Sequence, residues 1–522
     1  MNLNKYKHII FSTMLSSLLL IGLFLLLNGA PQIASAASRE LFVTPSGSGN
    51  CSQAAPCDLQ TALGLANDGD TIYMAAGTYT GTGGAVVTIA KSITLYGGWN
   101  GTTTTPPVRN ASLYPTILDG EETRRGVYIT GPSTVTLEDL TIVNGKIIST
   151  TSTGQWNGAG LYAKDVVLTL QHTNFYSNVV NVFDVSGSHS YGSGAFVEGG
   201  ELNANANTFR GNSTWARTSS SGGGLAVSQS RAVTVTDCLF ESNDAWHGSG
   251  FSFMGDASNP APLLLHNNTF IDNGWGKSVG RAYGGYAGAI EITNAQAQID
   301  GNVIQGNRAS NNYGAVAVYY SELSLTRNFI LDTQCGRISG LYLANVSPFI
   351  VTNNIIANNH SQDSWIQSPA VRVTGGSGQF LHNTIARNEG AYGLLLNSNA
   401  TVAMTNNILV SHTVGISVTS GSTASMNATL WGSGAWANGT DWGGDGSINT
   451  GSINIWGDPA FANPDSGDYH ISYGSAARDA GVNIGVTLDV DGDSRPQNNG
   501  YDIGADEFKW RIYLPWHVKN YH

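Results

Sequence analysis

One spelling recurs down the 522-residue chain: Asn, any residue, an apolar residue, any two residues, Asn. It stands as "NTFRGN" from Asn207, "NTFIDN" from Asn268, "NVIQGN" from Asn302, "NIIANN" from Asn354 and "NTIARN" from Asn383. Aligned on the central apolar residue, the units fall at Phe175, Phe209, Phe240, Phe270, Ile304, Ile330, Ile356, Ile385 and Leu409, 24 to 34 residues apart. Self-similarity at such a period is the signature of a solenoid, in which each coil stacks on the next. Two columns flank the anchors. Thr173, Asn207, Cys238, Asn268, Asn302, Asn328, Asn354, Asn383 and Asn407 precede them, and Asn178, Asn212, Asn243, Asn273, Asn307, Thr333, Asn359, Asn388 and His412 follow; seven of nine are Asn in each. Asn tolerates the left-handed backbone of a sharp corner. Stacked amides can also bond from coil to coil, which satisfies groups that are costly to bury singly.

Between corners a second pattern recurs: Gly, then apolar-x-apolar, as in "GAGLYA" at Gly158, "GGGLAV" at Gly222 and "GSGFSF" at Gly248. Period-two alternation predicts a short strand with one face buried. A further inward position lies five residues before each anchor, including Leu170, Val235, Leu265, Ile299 and Leu325. Each coil thus carries at least two strands, and no stretch between corners has helical periodicity.

On these columns and strands the chain resembles the right-handed parallel β-helix proteins of the pectate-lyase-like superfamily, over residues 85–430. The resemblance implies an all-β fold, a single-stranded solenoid of about a dozen rungs at the ~4.8 Å strand spacing. It does not imply an activity, because this fold hosts many functions. Cys238 occupies a ladder position, and Cys335 lies three rungs on, ~14 Å away at one strand spacing per rung. Both are expected to be free thiols.

Both ends of a solenoid need covering. Residues 37–84 are expected to form an N-terminal cap with one short helix, its apolar face made by Leu59, Ala62, Leu63 and Ala66. Cys51 and Cys57 in "CSQAAPC" are expected to close a disulfide loop, as suits an exported chain. Export is predicted from residues 1–36: Lys5 and Lys7, the apolar run Leu18–Leu27, then Ala34-Ser35-Ala36 as a cleavage site. The alternative is a retained anchor, since the 19 residues from Ile9 to Leu27 could just span a bilayer. With cleavage, no membrane span remains, and the protein is secreted or held at the cell surface.

Residues 431–508 are expected to cap the C-terminal end. Gly467–Phe508 resembles the choice-of-anchor Q domain in its Asp479-Ala480-Gly481 turn, its "DVDGDSRP" run and its closing "DIGADEF". That resemblance implies surface display, although the tail, residues 509–522, has no long apolar anchor. Asp489, Asp491 and Asp493 have the spacing of a calcium loop, but Ser494 stands where an EF-hand needs Gly. The other reading is an Asp-rich turn paired with Arg495. No other cofactor is expected.

Charged residues make up 11% of the chain and the formal net charge is −12. A nucleic-acid backbone needs a basic footprint and is excluded as partner. A polar, weakly charged surface suits hydroxyl-rich partners such as sugars. The outward positions of the Gly-led strands are Tyr162, Ala226, Ser252, Glu291, Ala317, Tyr342, Arg372 and Ser417, with Glu291 the one acid, so no carboxylate pair forms there. His266 and Asp300 fall on adjacent rungs, as an acid–base pair or a surface ion pair. The longer loops follow the second Asn column. They carry Trp215, Trp246 and Trp275 with Arg217, His247, Lys277 and Arg281, and are read as a glycan-binding surface; the alternative is aromatic packing of loop on rod. The sequence therefore predicts a β-helix that binds polysaccharide without turnover. The alternatives are a polysaccharide lyase or glycoside hydrolase acting on an acidic glycan, and a structural stalk or adhesin that contacts proteins.

Overall fold

The computed structural model describes residues 38–148, 156–182, 187–274, 287–309, 313–361 and 368–509. The predicted signal peptide, residues 1–36, and nearly all of the tail lie outside them.

Each coil contributes strands to three parallel ladders. In one, Phe175 opposes Phe209, then Phe240, Phe270, Ile304, Ile330, Ile356, Ile385 and Leu409 follow in register. Every anchor aligned in the sequence is thus a register partner of the next, and among the described residues this sheet has fourteen strands. The Gly-led strands and the strands before the first Asn column form two more ladders. They merge into one 28-stranded sheet because Arg125–Glu138 and Leu161–Gln171 run through both faces. Inward residues alternate with outward ones, as in Ala232–Thr236, where Val233 and Val235 are buried. Stacking equivalent side chains at one strand spacing puts like on like. The rings of Phe175, Phe209, Phe240 and Phe270 lie 4.8, 4.9 and 4.6 Å apart and within 5° of parallel.

The two Asn columns are buried hydrogen-bond ladders. Asn302 Nδ2 donates to Asn328 Oδ1 (2.9 Å) and to Leu265 O (3.0 Å), while its own Oδ1 accepts from Asn268 N (2.8 Å) and Nδ2 (3.0 Å). The same bonds link Asn328 to Asn354, Asn354 to Asn383 and Asn383 to Asn407. Cys238 stands in for one amide, its Sγ accepting from Asn207 N at 3.4 Å. Cys238 and Cys335 are free and buried. Burial pushes their thiols up, to about 11 and about 12, so neither is a reactive thiolate.

One detail corrects the sequence reading. The left-handed residue at each corner is the one before the Asn: His172, Ala206, Asp237, Asn267, Gly301, Arg327, Asn353, His382 and Asn406 all have positive φ. The corner turns there, which aims the next side chain inward. The column Asn is selected for its amide and not for its backbone.

At the N-terminus the disulfide Cys51–Cys57 and the helix Leu59–Leu65 cover the first rungs. Asp58 caps the helix by accepting from Thr61 N (3.0 Å), and Leu59 and Ala62 are its buried residues. At the other end the buried Trp431 packs against Trp442 at 5.2 Å. The chain then turns back. Phe461, Tyr469, Ile471, Ala477, Val490, Ile503 and Ala505 lie along the outside of the anchor sheet, against Leu331, Ile355, Ala357, Ala386, Ile408, Val410, Ala428 and Leu430. The side chains of the left-handed corner residues hold this fold-back. Asn353 Nδ2 donates to Leu488 O (2.6 Å), and Asn406 exchanges bonds with Val482 (2.7 and 2.9 Å). His382 Nδ1 lies 3.1 Å from Asp502 O. Arg495, fully buried with Glu507, reaches both Asn353 Oδ1 (3.2 Å) and Glu507 Oε2 (2.8 Å).

Asn302→Leu leaves Leu265 O and the Asn268 amide without partners, at about 1–3 kcal/mol for each unsatisfied group. Asn498, half-buried with one bond to Phe508 O (2.7 Å), has less to lose. A thermal melt is expected to place Asn302→Leu well below Asn498→Leu, and equal losses would contradict the ladder. Burial also pushes His412, in the second column, down to about 4, against about 6.5 in an unfolded chain. Its contribution is present above pH 6.5 and is lost as pH falls towards 4. His412→Asn keeps an amide at that position, so its Tm is expected to fall less than the wild type's between pH 7.5 and 4.5. Equal falls would mean that His412 is not held neutral.

Candidate functional site

The Gly-led ladder turns one row of side chains outward: Tyr128, Tyr162, Phe196, Ala226, Ser252, Glu291, Ala317, Tyr342 and Arg372 in successive register. Two aromatic groups bracket its centre. On one side Tyr128 stacks on Tyr162 at 5.3 Å, with Phe196 and Tyr191 beyond, and the Arg125 guanidinium lies 5.3 Å from the Tyr128 ring. Tyr162 donates to Glu198 Oε2 (2.8 Å), and burial followed by that acidic neighbour raises its hydroxyl above the ordinary tyrosine range. On the other side Tyr313 stacks on Tyr342 at 4.2 Å. Tyr162 and Phe196 are almost completely buried, so these inner rings fasten loops to the rod and do not offer a free face.

Between the two groups the structure makes a contact that the sequence did not suggest. His247, on a loop, places Nδ1 3.0 Å from Glu291 Oε2, on the strand. Both remain partly open to solvent. The outward row contains one carboxylate, but a loop imidazole meets it there. Gly248, which follows His247, is the recurring glycine of the Gly-led turn: like Gly158, Gly192 and Gly222 it has positive φ, and a side chain there would collide with the carbonyl three residues on. The loop is held to the previous coil by His247 N, which donates to Ser220 O (2.9 Å).

Trp215 lies on the strand Ser213–Ala216 and is half-buried, and its Nε1 donates to Ser213 Oγ. Trp246 is half-buried too, but the coils do not align the two. Asp244 opposes Ser213 and His247 opposes Ser221, so Trp246 N donates to Ser220 O (3.1 Å). The earlier loop is longer, and its exposed Arg217 and Thr218 bond Ser188 of the coil before. Trp275, Lys277 and Arg281 lie outside the described residues.

His266 and Asp300 are register partners, with His266 Nδ1 2.9 Å from Asp300 Oδ2. Asp300 also accepts from Arg327 Nε and Thr326 Oγ1, each at 2.9 Å. Burial raises its carboxyl, but those bonds outweigh it and hold the group below its usual range. An ionised carboxylate with three donors is an ion-pair network and a poor proton donor. It borders a groove of about 480 Å³ between the second ladder and residues Gly485–Leu488.

The three aspartates of the C-terminal run do not converge. Asp489 is buried and accepts from Asp491 N (3.0 Å), Asp493 N (2.8 Å) and Glu507 N (3.2 Å), so it shapes the turn. Asp493 bonds Lys509 (2.9 Å). Asp491 faces His470. Arg495 pairs with Glu507 instead of with the aspartates.

The chain belongs to the right-handed β-helix family: the model of the right handed beta helix region matches residues 124–330 and 281–430. Residues 431–508, with the choice-of-anchor resemblance, lie outside that match. No curated protein matches the chain. Among solved structures, the pectate lyase Pel9A is 14% identical, with a TM-score of 0.38, over 91% of this chain and 98% of its own. The periplasmic alginate epimerase AlgG is 10% identical (TM-score 0.34; 79% and 84%), and the Dettilon tailspike protein 11% (TM-score 0.34; 78% and 68%). No helix among the described residues is long and apolar enough to cross a membrane.

Proposed function

We propose that this β-helix is an exported protein that holds a polysaccharide along its Gly-led face and the adjoining loops, without turning it over. The observation that carries this reading is the centre of that face. His247 and Glu291, both partly open to solvent, make with the half-exposed Trp246 an imidazole, carboxylate and indole surface between two aromatic groups, over the buried Ser252. Sugars are bound by such mixtures of flat apolar rings and hydrogen-bonding groups. The exposed Arg217, on the adjoining loop, favours an acidic glycan. The residues 1–36 and the choice-of-anchor resemblance support display at the cell surface.

One observation favours the enzymatic alternative. His247 and Glu291 touch, so a proton can pass between them. A hydrolase with two carboxylates lacks its second acid on the described outward row, which leaves proton abstraction as the chemistry to exclude.

Trp215→Ala/Trp246→Ala is expected to keep its Tm within a few degrees and to lose retention on a glycan array. Unfolding would show that the two rings are loop packing. Binding by the wild type is expected to weaken as salt rises. Incubation with the bound glycan is expected to release neither reducing ends nor unsaturated uronate. Release that disappears in Glu291→Gln would replace binding with catalysis.

A further inference from the structure

The fold-back contains a cluster that neither the family nor the proposed function uses. Three stretches far apart in sequence meet there: the strand Asp468–Ile471, the turn at Asp491 and the closing segment at Asp506. Among the described residues, His470, Asp491 and Asp506 are the one group of three metal-ligating side chains whose ligand atoms all lie within 4.8 Å of one another.

The imidazole is set up from behind. Its Nδ1 lies 2.6 Å from Asp468 Oδ1, and Asp468 also accepts from His470 N (3.1 Å). A carboxylate on Nδ1 fixes the ring so that Nε2 points forward, an arrangement that recurs behind metal-bound histidines. Nε2 points at the other two acids. It is 3.1 Å from Asp491 Oδ2, an ion-pair contact. Nε2 is closed off from solvent by its surroundings. Asp506 is itself buried, with Oδ2 accepting from Ile471 N (2.7 Å). The basic side chains nearby are engaged elsewhere, Lys509 with Asp493 and Arg495 with Glu507. Asp468, His470, Asp491 and Asp506 line a cleft of about 450 Å³.

We propose that His470, Asp491 and Asp506 form a binding site for a borderline divalent cation of the zinc class, which pins the three stretches of the fold-back together on the flank of the rod. One imidazole and two carboxylates suit zinc and its neighbours. Calcium wants six or more oxygens, and Asp489 and Asp493 are committed to other partners. The inference is independent of glycan binding.

Zinc chloride titrated into the full chain, first stripped with chelator, is expected to bind with one saturable equivalent and to raise the Tm by several degrees. Asp491→Asn changes an exposed side chain and is expected to weaken uptake by about tenfold or more. His470→Gln is expected to abolish it, and His266→Gln, on the rod, to leave it unchanged. No saturable uptake by the wild type would overturn the proposal, as would uptake that Asp491→Asn and His470→Gln leave intact. The cluster would then be an imidazolium among carboxylates. If His470→Gln fails to fold, Asp491→Asn decides. Calcium binding as tightly as zinc would overturn the assignment of metal class.

Discussion

A buried amide must be bonded on every side, and in this protein each column Asn obtains its partners from the coils above and below. Asn302 holds Asn328 and is held by Asn268, and its Nδ2 also takes up the carbonyl of Leu265. Corners therefore cannot slip by one residue without orphaning several polar groups at once. That constraint fixes the register of all three ladders, since each strand begins or ends a fixed distance from a corner. Substitutions in the columns obey the same requirement. Cys238 supplies a sulfur acceptor to Asn207, and His412 places Nε2 3.3 Å from Asn388 Nδ2.

The same corner serves a second purpose through the residue before the Asn. Its left-handed backbone turns its side chain out of the rod. In the middle rungs those side chains include Ala206 and Asp237. Further on they are Asn353, His382 and Asn406, and each bonds the fold-back. The outer faces of the anchor strands change in step. Arg210 and Glu241 give way to Leu331, Ala357, Ala386 and Val410, which are buried under Phe461, Tyr469 and Ile471. A polar flank has thus become an apolar docking strip. The doubled Asn of "NNIIANN" and "TNNILV" marks where one amide faces in and its neighbour faces the fold-back.

Function follows from what this scaffold leaves outside. The ladder commits the inward positions to packing and the corners to hydrogen bonding. Chemistry must come from the outward row and the loops, where insertions do not disturb the register. His247 and Glu291 meet because one comes from each source. His470, Asp491 and Asp506 meet because the fold-back crosses itself on the flank. In neither case does sequence spacing bring the groups together.

The sequence by itself determined the rod. The two Asn columns and the anchors between them are periodic, and a periodic fold repeats its contacts at fixed offsets, so Phe209 could be placed beside Phe175 and His266 beside Asp300 from spacing alone. The disulfide partners and the short N-terminal helix are local and were legible for that reason. The tertiary structure decided everything that depends on contacts without a period. It put the left-handed backbone one residue before each Asn and took Trp246 out of line with Trp215, because the earlier loop is longer. It sent Asp489, Asp491 and Asp493 to three different partners, though their spacing left a calcium loop or an Asp-rich turn open. It also laid Phe461–Phe508 along the side of the rod, where Leu331 to Leu430 offered apolar surface. Such contacts join residues from unrelated positions, and only the path of the folded chain determines which of them meet.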